Sequence, residues 1–137
     1  MGDNRRVNIK ALVLGVLTDF GGSLLVGAVS GAIVGIILSF KGTPQNEMDA
    51  YLNGPIVLIA VVVIGWGFTI LGGFIAGRVA KRREILHGGI VGFIGILLCL
   101  LFWASTPLSL NVISLICIVP CGMFGGHIAK SSNERGQ

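Results

Sequence analysis

The chain has 137 residues, 53% of them hydrophobic and only 12% charged, with 22 glycines and a formal net charge of +4. That length favours one domain, and the charged share is about half that of ordinary soluble domains, which excludes a water-facing globular surface. The positive balance does not point to nucleic acid, because the basic residues flank apolar segments and form no single basic face.

Residues 1–10 are polar and basic, with Arg5, Arg6 and Lys10. A basic start before an apolar run resembles a secretory signal. This run is too long for one, is interrupted by Asp19, and is followed by further spans. From Val7 to Phe40 it covers 34 residues, roughly 51 Å as helix, against a hydrocarbon core of about 30 Å. The helix must therefore tilt strongly or bend, and Gly21-Gly22 is the place for a bend. Either way Asp19 is expected toward the cytoplasmic interface.

Small or polar residues recur every fourth position in this segment: Ala11, Gly15, Asp19, Ser23, Gly27, Gly31, Gly35 and Ser39. That is the small-xxx-small pattern of helices that pack in lipid. The row drifts by about 40° per step around a helix of 3.6 residues per turn, so its parts must meet different neighbours.

Residues 41–54 are polar, and Thr43, Pro44 and Gly54 suit the cap, first turn and end of a short helix; a plain loop fits as well. The second span runs from Pro55 to about residue 80. Gly65, Thr69, Gly73 and Gly77 repeat the four-residue spacing, and Trp66 falls near mid-span, where packing inside the bundle explains it. Arg78, Lys81, Arg82 and Arg83 close this span. A third span covers about 86–104, with Trp103 suited to the outer interface, and a fourth covers about 108–130, where Pro120 should bend the helix. The polar tail after Lys130 is expected to be mobile.

All Lys and Arg except Lys41 belong to the N-terminus, the loop after span two, or the C-terminus. The positive-inside bias then gives a multi-pass cell-membrane protein with both termini cytoplasmic. The expected fold is all-α, an integral membrane four-helix bundle within a single domain, 1–137. Leu71-Gly72-Gly73-Phe74-Ile75-Ala76 is echoed by Phe124-Gly125-Gly126-His127-Ile128-Ala129, and Asp19-Phe20-Gly21-Gly22 by Leu86-His87-Gly88-Gly89. Two repeated helical hairpins, related by an axis along the membrane normal, are the reading of these echoes.

The run Gly72-Gly73-Phe74-Ile75-Ala76-Gly77-Arg78-Val79-Ala80 with His87-Gly88, together with Asp19-Phe20-Gly21-Gly22-Ser23, resembles a signature of small, Gly-rich, four-span prokaryotic membrane proteins of unknown function. The resemblance implies fold and topology, and no activity. The embedded Glu of small multidrug exporters has no counterpart in any span here.

Asp19 is the sharpest candidate, since a carboxylate at a helix centre costs roughly 2.5–3.5 kcal/mol on insertion scales and such residues face partners. Arg78 and His87 are its expected partners, reached across the inner ends of the spans. His127 shares His87's setting beside a double glycine. Gly27, Gly31, Gly35, Gly73 and Gly77 are the expected helix-packing positions. Cys99, Cys117 and Cys121 read as small residues at a seam, and neither a metal site, a cofactor nor a catalytic group is expected. The leading function is a non-enzymatic packing or assembly role in a homo-oligomer, with anionic lipid contact at Arg78, Lys81, Arg82 and Arg83. The alternative is a small channel or transporter with Asp19 lining a polar cavity. Only Asp19, Thr18, Ser23, Ser30 and Thr69 offer it a polar path.

Overall fold

The structure, a computed structural model, describes residues 7–101 and 108–135. The expectations for Trp103 and for the end of the third span lie outside those residues. The described chain is helical throughout: α1 (Ile9–Val16), a π turn (Leu17–Gly21), α2 (Gly22–Phe40), α3 (Gln45–Leu52), α4 (Pro55–Ala80), α5 (Glu84–Leu101) and α6 (Leu108–Arg135). Four stretches are long and apolar enough to cross a membrane: Ile9–Phe40, Pro55–Ala80, Glu84–Leu101 and Asn111–Arg135, with mean hydropathies of 2.2, 2.4, 2.1 and 1.9. A polytopic four-helix membrane bundle is thus the architecture.

Local chemistry starts and stops these helices. Asn8 holds an extended backbone before α1, and its Oδ1 accepts from the Ala11 N–H at 3.3 Å, covering one free amide of the first turn. Pro55 opens α4 at its first position, where the missing N–H costs nothing. Lys81 ends α4 in the left-handed region, φ 54°, with its N–H on the Gly77 carbonyl at 3.1 Å. Arg83, φ 50°, turns the chain left-handed again before α5. In the short helix the cap is Pro44 and not Thr43, one residue later than the sequence suggested. α6 runs through Pro120 and on to Arg135. The expected mobile tail is therefore helical to that point. Asn133 ties it to α5 by donating to Glu84 Oε1 at 3.1 Å, and Lys130 pairs with Glu134 at 3.8 Å.

The core is built from backbone proximity more than from large side chains. Val91 is the largest side chain that is fully buried. α4, α5 and α6 form a three-helix core, with α1 laid against α4 and α5. A methyl group on Gly15 would lie 2.7 Å from the Gly72 carbonyl oxygen, and one on Gly72 would lie 2.6 Å from that of Gly15. Gly122 sits where three helices meet: side chains on either Gly73 of α4 or Gly88 of α5 would run into its backbone. Gly77 is equally enclosed, with the Ala129 methyl 2.8 Å from where its own would stand.

α2 is different. It has no buried residue, and side chains such as Leu25, Ile33 and Ile36 are exposed. Methyl groups on Gly27, Gly31 or Gly35 would meet nothing within 4 Å, so among the described residues these three positions have no packing partner. The π turn falls just before Gly22, beside the predicted bend, and α2 departs from the core after it. The two hairpins also differ in register. α1 crosses α4 at Gly15 and Gly72, while Gly21, the repeat counterpart of the enclosed Gly88, faces open space.

Candidate functional site

The π turn carries Asp19. A π turn inserts one residue into an α-helix, and such turns gather at functional sites. Here it turns Asp19 toward α4 and α5. Asp19 Oδ1 accepts from Thr69 Oγ1 at 3.0 Å, and the same hydroxyl lies 3.1 Å from the Gly65 carbonyl, so its one proton is shared between two acceptors. Thr69 is buried, only 4% exposed. Gly72 and Gly95 make room for the acid: a methyl on Gly72 would stand 2.9 Å from Asp19 Cβ, and one on Gly95 would stand 3.5 Å from Oδ2.

This placement corrects one expectation. The partner of Asp19 is Thr69, with neither Arg78 nor His87 at hand. Arg78 lies exposed, its guanidinium 5.7 Å from the centre of the Phe74 ring. His87 is buried, with Nε2 accepting from the Asn8 N–H at 3.0 Å and Nδ1 on the Arg83 carbonyl at 3.1 Å. Both ring nitrogens are thus engaged at the far end of α1. α1 starts beside His87, at the end of the bundle that carries Lys81 and Arg83, and ten further residues of helix carry Asp19 about 15 Å inward. It meets α4 at Thr69, the fifteenth of the helix's 26 residues.

A cleft of about 540 Å³ opens beside the acid, between α2 and the core. Ser23, Leu24 and Gly27 of α2 line one wall, and Val61, Val62, Gly65 and Trp66 of α4 the other. Gly95, Leu98 and Cys99 of α5 and Ser114 and Ile118 of α6 complete it. Asp19, Ser23 and Thr69, named above as polar path residues, therefore share one cavity. Thr18 and Ser30 do not line it, and Thr18 donates back to the Leu14 carbonyl at 2.9 Å. The indole Nε1 of Trp66 is buried without a hydrogen-bond partner among the described residues. Sequence reasoning missed Ser114. Its signal was the spacing Asn111, Ser114, Ile118, Gly122, Gly125, Ala129, a buried stripe of α6 with steps of three or four residues.

The cysteines are free and half-buried, and among the described residues no group of three His, Cys, Asp or Glu is placed to hold a metal ion. Arg78, Lys81, Arg82 and Arg83 are all exposed at one end of the bundle. His127 is exposed on α6.

Fold and site together define a four-span membrane bundle with an acid-headed cleft between its first long helix and the rest. Comparison with protein-family models, with curated proteins and with solved structures finds no match to this chain.

Proposed function

We propose that this protein is a non-enzymatic membrane protein that binds a solute in the cleft beside Asp19 and passes it along the bundle, as a small channel or transporter does. The observation that carries this reading is convergence: Asp19 and Ser23 of the first span, Thr69 of the second and Ser114 of the fourth line a single cavity of about 540 Å³. That volume lies within the range of roughly 300–1,000 Å³ typical of small-molecule sites. An intramembrane carboxylate is costly, and its usual justification is a solute or proton path. The π turn and Gly21-Gly22 supply a hinge by which α2 can close on the core.

Proteoliposome flux tests it. Vesicles holding wild type, Asp19→Asn or Gly65→Leu are compared with empty ones for movement of labelled organic and inorganic cations. Gly65 lines the cleft and has open space at its Cβ, so a leucine there fills the cavity without a clash. Transport by the wild type that both variants lose is the expected result. Equal leakage in all four preparations would remove the reading.

A packing or assembly role is the second reading, favoured by one observation. Gly27, Gly31 and Gly35 present the small-xxx-small spacing with nothing within 4 Å of an added Cβ among the described residues, as the seam of a homo-oligomer would. Under both readings the chain is grouped with the small Gly-rich four-span proteins its signature resembles. The basic end faces the cytoplasm of a cell membrane, and its exposed Arg78, Lys81, Arg82 and Arg83 touch anionic headgroups, by about 1 kcal/mol per charge.

A further inference from the structure

We infer that the cleft beside Asp19 selects an organic ammonium, a primary amine cation carried on an apolar body the size of an aromatic ring. The inference rests on the reading of the cleft as a solute site and names the class of solute.

Charge comes first. Among the described residues Asp19 is the one acidic residue lining the cleft, and no Lys, Arg or His lines it. An anionic solute would therefore meet repulsion with no compensating cation. Among the described residues, Thr69 engages only Oδ1. Oδ2, toward Gly95, is the oxygen to which a cationic donor can add without displacing a bond already made.

Chemistry then separates kinds of cation. A bare metal ion needs several oxygen, nitrogen or sulfur ligands around it. The walls supply mostly carbon, from Leu24, Val61, Val62, Leu98 and Ile118. Such walls favour an apolar body and leave an inorganic ion stripped of water without replacement ligands. An ammonium head has three N–H donors. One carboxylate oxygen and the hydroxyl residues Ser23 and Ser114 provide acceptors for it within the same cleft. Phe20 and Trp66 line the same cavity, and aromatic rings favour a cation over a neutral group of equal size. The ligand is thus amphiphilic, with its head at the π turn and its body along α2 and α4.

The test uses the full chain in lipid nanodiscs, with Trp103→Phe as background so that Trp66 is the single tryptophan. The probes are 4-nitrophenethylamine and 4-nitrophenethyl alcohol, which share a quenching nitroarene and differ in the charged head. Saturable quenching of Trp66 is expected, with the amine bound at least about tenfold tighter than the alcohol. Asp19→Asn, which keeps the shape of the side chain, should bring the two probes to equal affinity. Gly65→Leu should abolish both. Equal binding of both probes to the wild type, lost in Gly65→Leu, overturns the ammonium inference and leaves the solute cleft standing. Retained preference for the amine in Asp19→Asn overturns it too. No saturable quenching by either probe overturns the inference together with the proposed function. Discs of phosphatidylcholine and of phosphatidylethanolamine separate two sources of the same head. Amine binding that is equal in both discs marks a free amine as the ligand, and binding weakened by phosphatidylethanolamine marks the lipid's own ammonium as an occupant.

Discussion

Gly73 and Gly77 on α4 and Gly27, Gly31 and Gly35 on α2 follow the same four-residue spacing, yet their surroundings are opposite. At Gly73 the backbone of Gly122 fills the place of a side chain; at Gly31 there is nothing within 4 Å. The spacing says only that a helix can be approached closely along one line. What approaches depends on where that line points, and the line winds. Along the first long helix Ala11 and Gly15 are buried, Asp19 and Ser23 half-buried, Gly27 exposed, and Gly31 and Gly35 half-buried again. Down to Gly27 that is the order expected of a row that turns away by about 40° per step.

Overcrowding gives the largest contrast between the two rows. Gly73→Leu should lower thermal stability in detergent by more than the ~1–3 kcal/mol usual for overpacking, because backbone and not a movable side chain stands in the way. Gly31→Leu should change it by less than about 0.5 kcal/mol in the monomer, since among the described residues nothing stands within 4 Å of the added Cβ. Similar melting shifts for the two would erase the distinction. A change in oligomer mass by light scattering for Gly31→Leu alone would sharpen it into an assembly seam.

The boundary between the packed and open regions is the Asp19–Thr69 hydrogen bond, and its two ends are unequal. Thr69→Val strips a half-buried carboxylate of its donor and should cost roughly 1.5–3 kcal/mol. Asp19→Asn leaves the hydroxyl with the Gly65 carbonyl and should cost less than about 1 kcal/mol. Thermal melts that ranked these two in reverse would show that another group stabilises the acid.

Smaller effects belong to the ends of the packed region. Lys81 holds a left-handed backbone that glycine adopts freely, so Lys81→Gly should raise stability by about 1 kcal/mol, read from the melting midpoint. The Lys130–Glu134 pair is half-exposed, and Lys130→Ala should cost only about 0.3–0.5 kcal/mol, vanishing in high salt.

Much of this architecture was legible because membrane helices announce themselves by length and apolarity. The four spans and the enclosure of Gly73 and Gly77 lie where the residues placed them. The partner of Asp19 did not. Reasoning from charge chose Arg78 and His87, because opposite charges and repeat positions are visible in a sequence and helix depth is not. Thr69 is uncharged, and what brings it to Asp19 is the contact of Gly15 with Gly72, which fixes how far α1 slides along α4. The cleft was equally hidden, since its walls come from four helices and its width from the departure of α2.

The bond from the Asn8 N–H to His87 joins residues 79 apart in the chain. Synthesis delivers the N-terminal side first. When α1 and α2 enter the bilayer, the imidazole that fastens the first turn has not yet been made. Asn8's own cap on Ala11 is available from the start, and Gly72 arrives with α4. Only with α5 does His87 close on Asn8, bridging the first turn to the Arg83 carbonyl. The first turn of α1 is therefore fastened only once His87, residue 87 of 137, has been made, and a nascent chain stopped before Glu84 would hold α1 by its contacts with α4 alone.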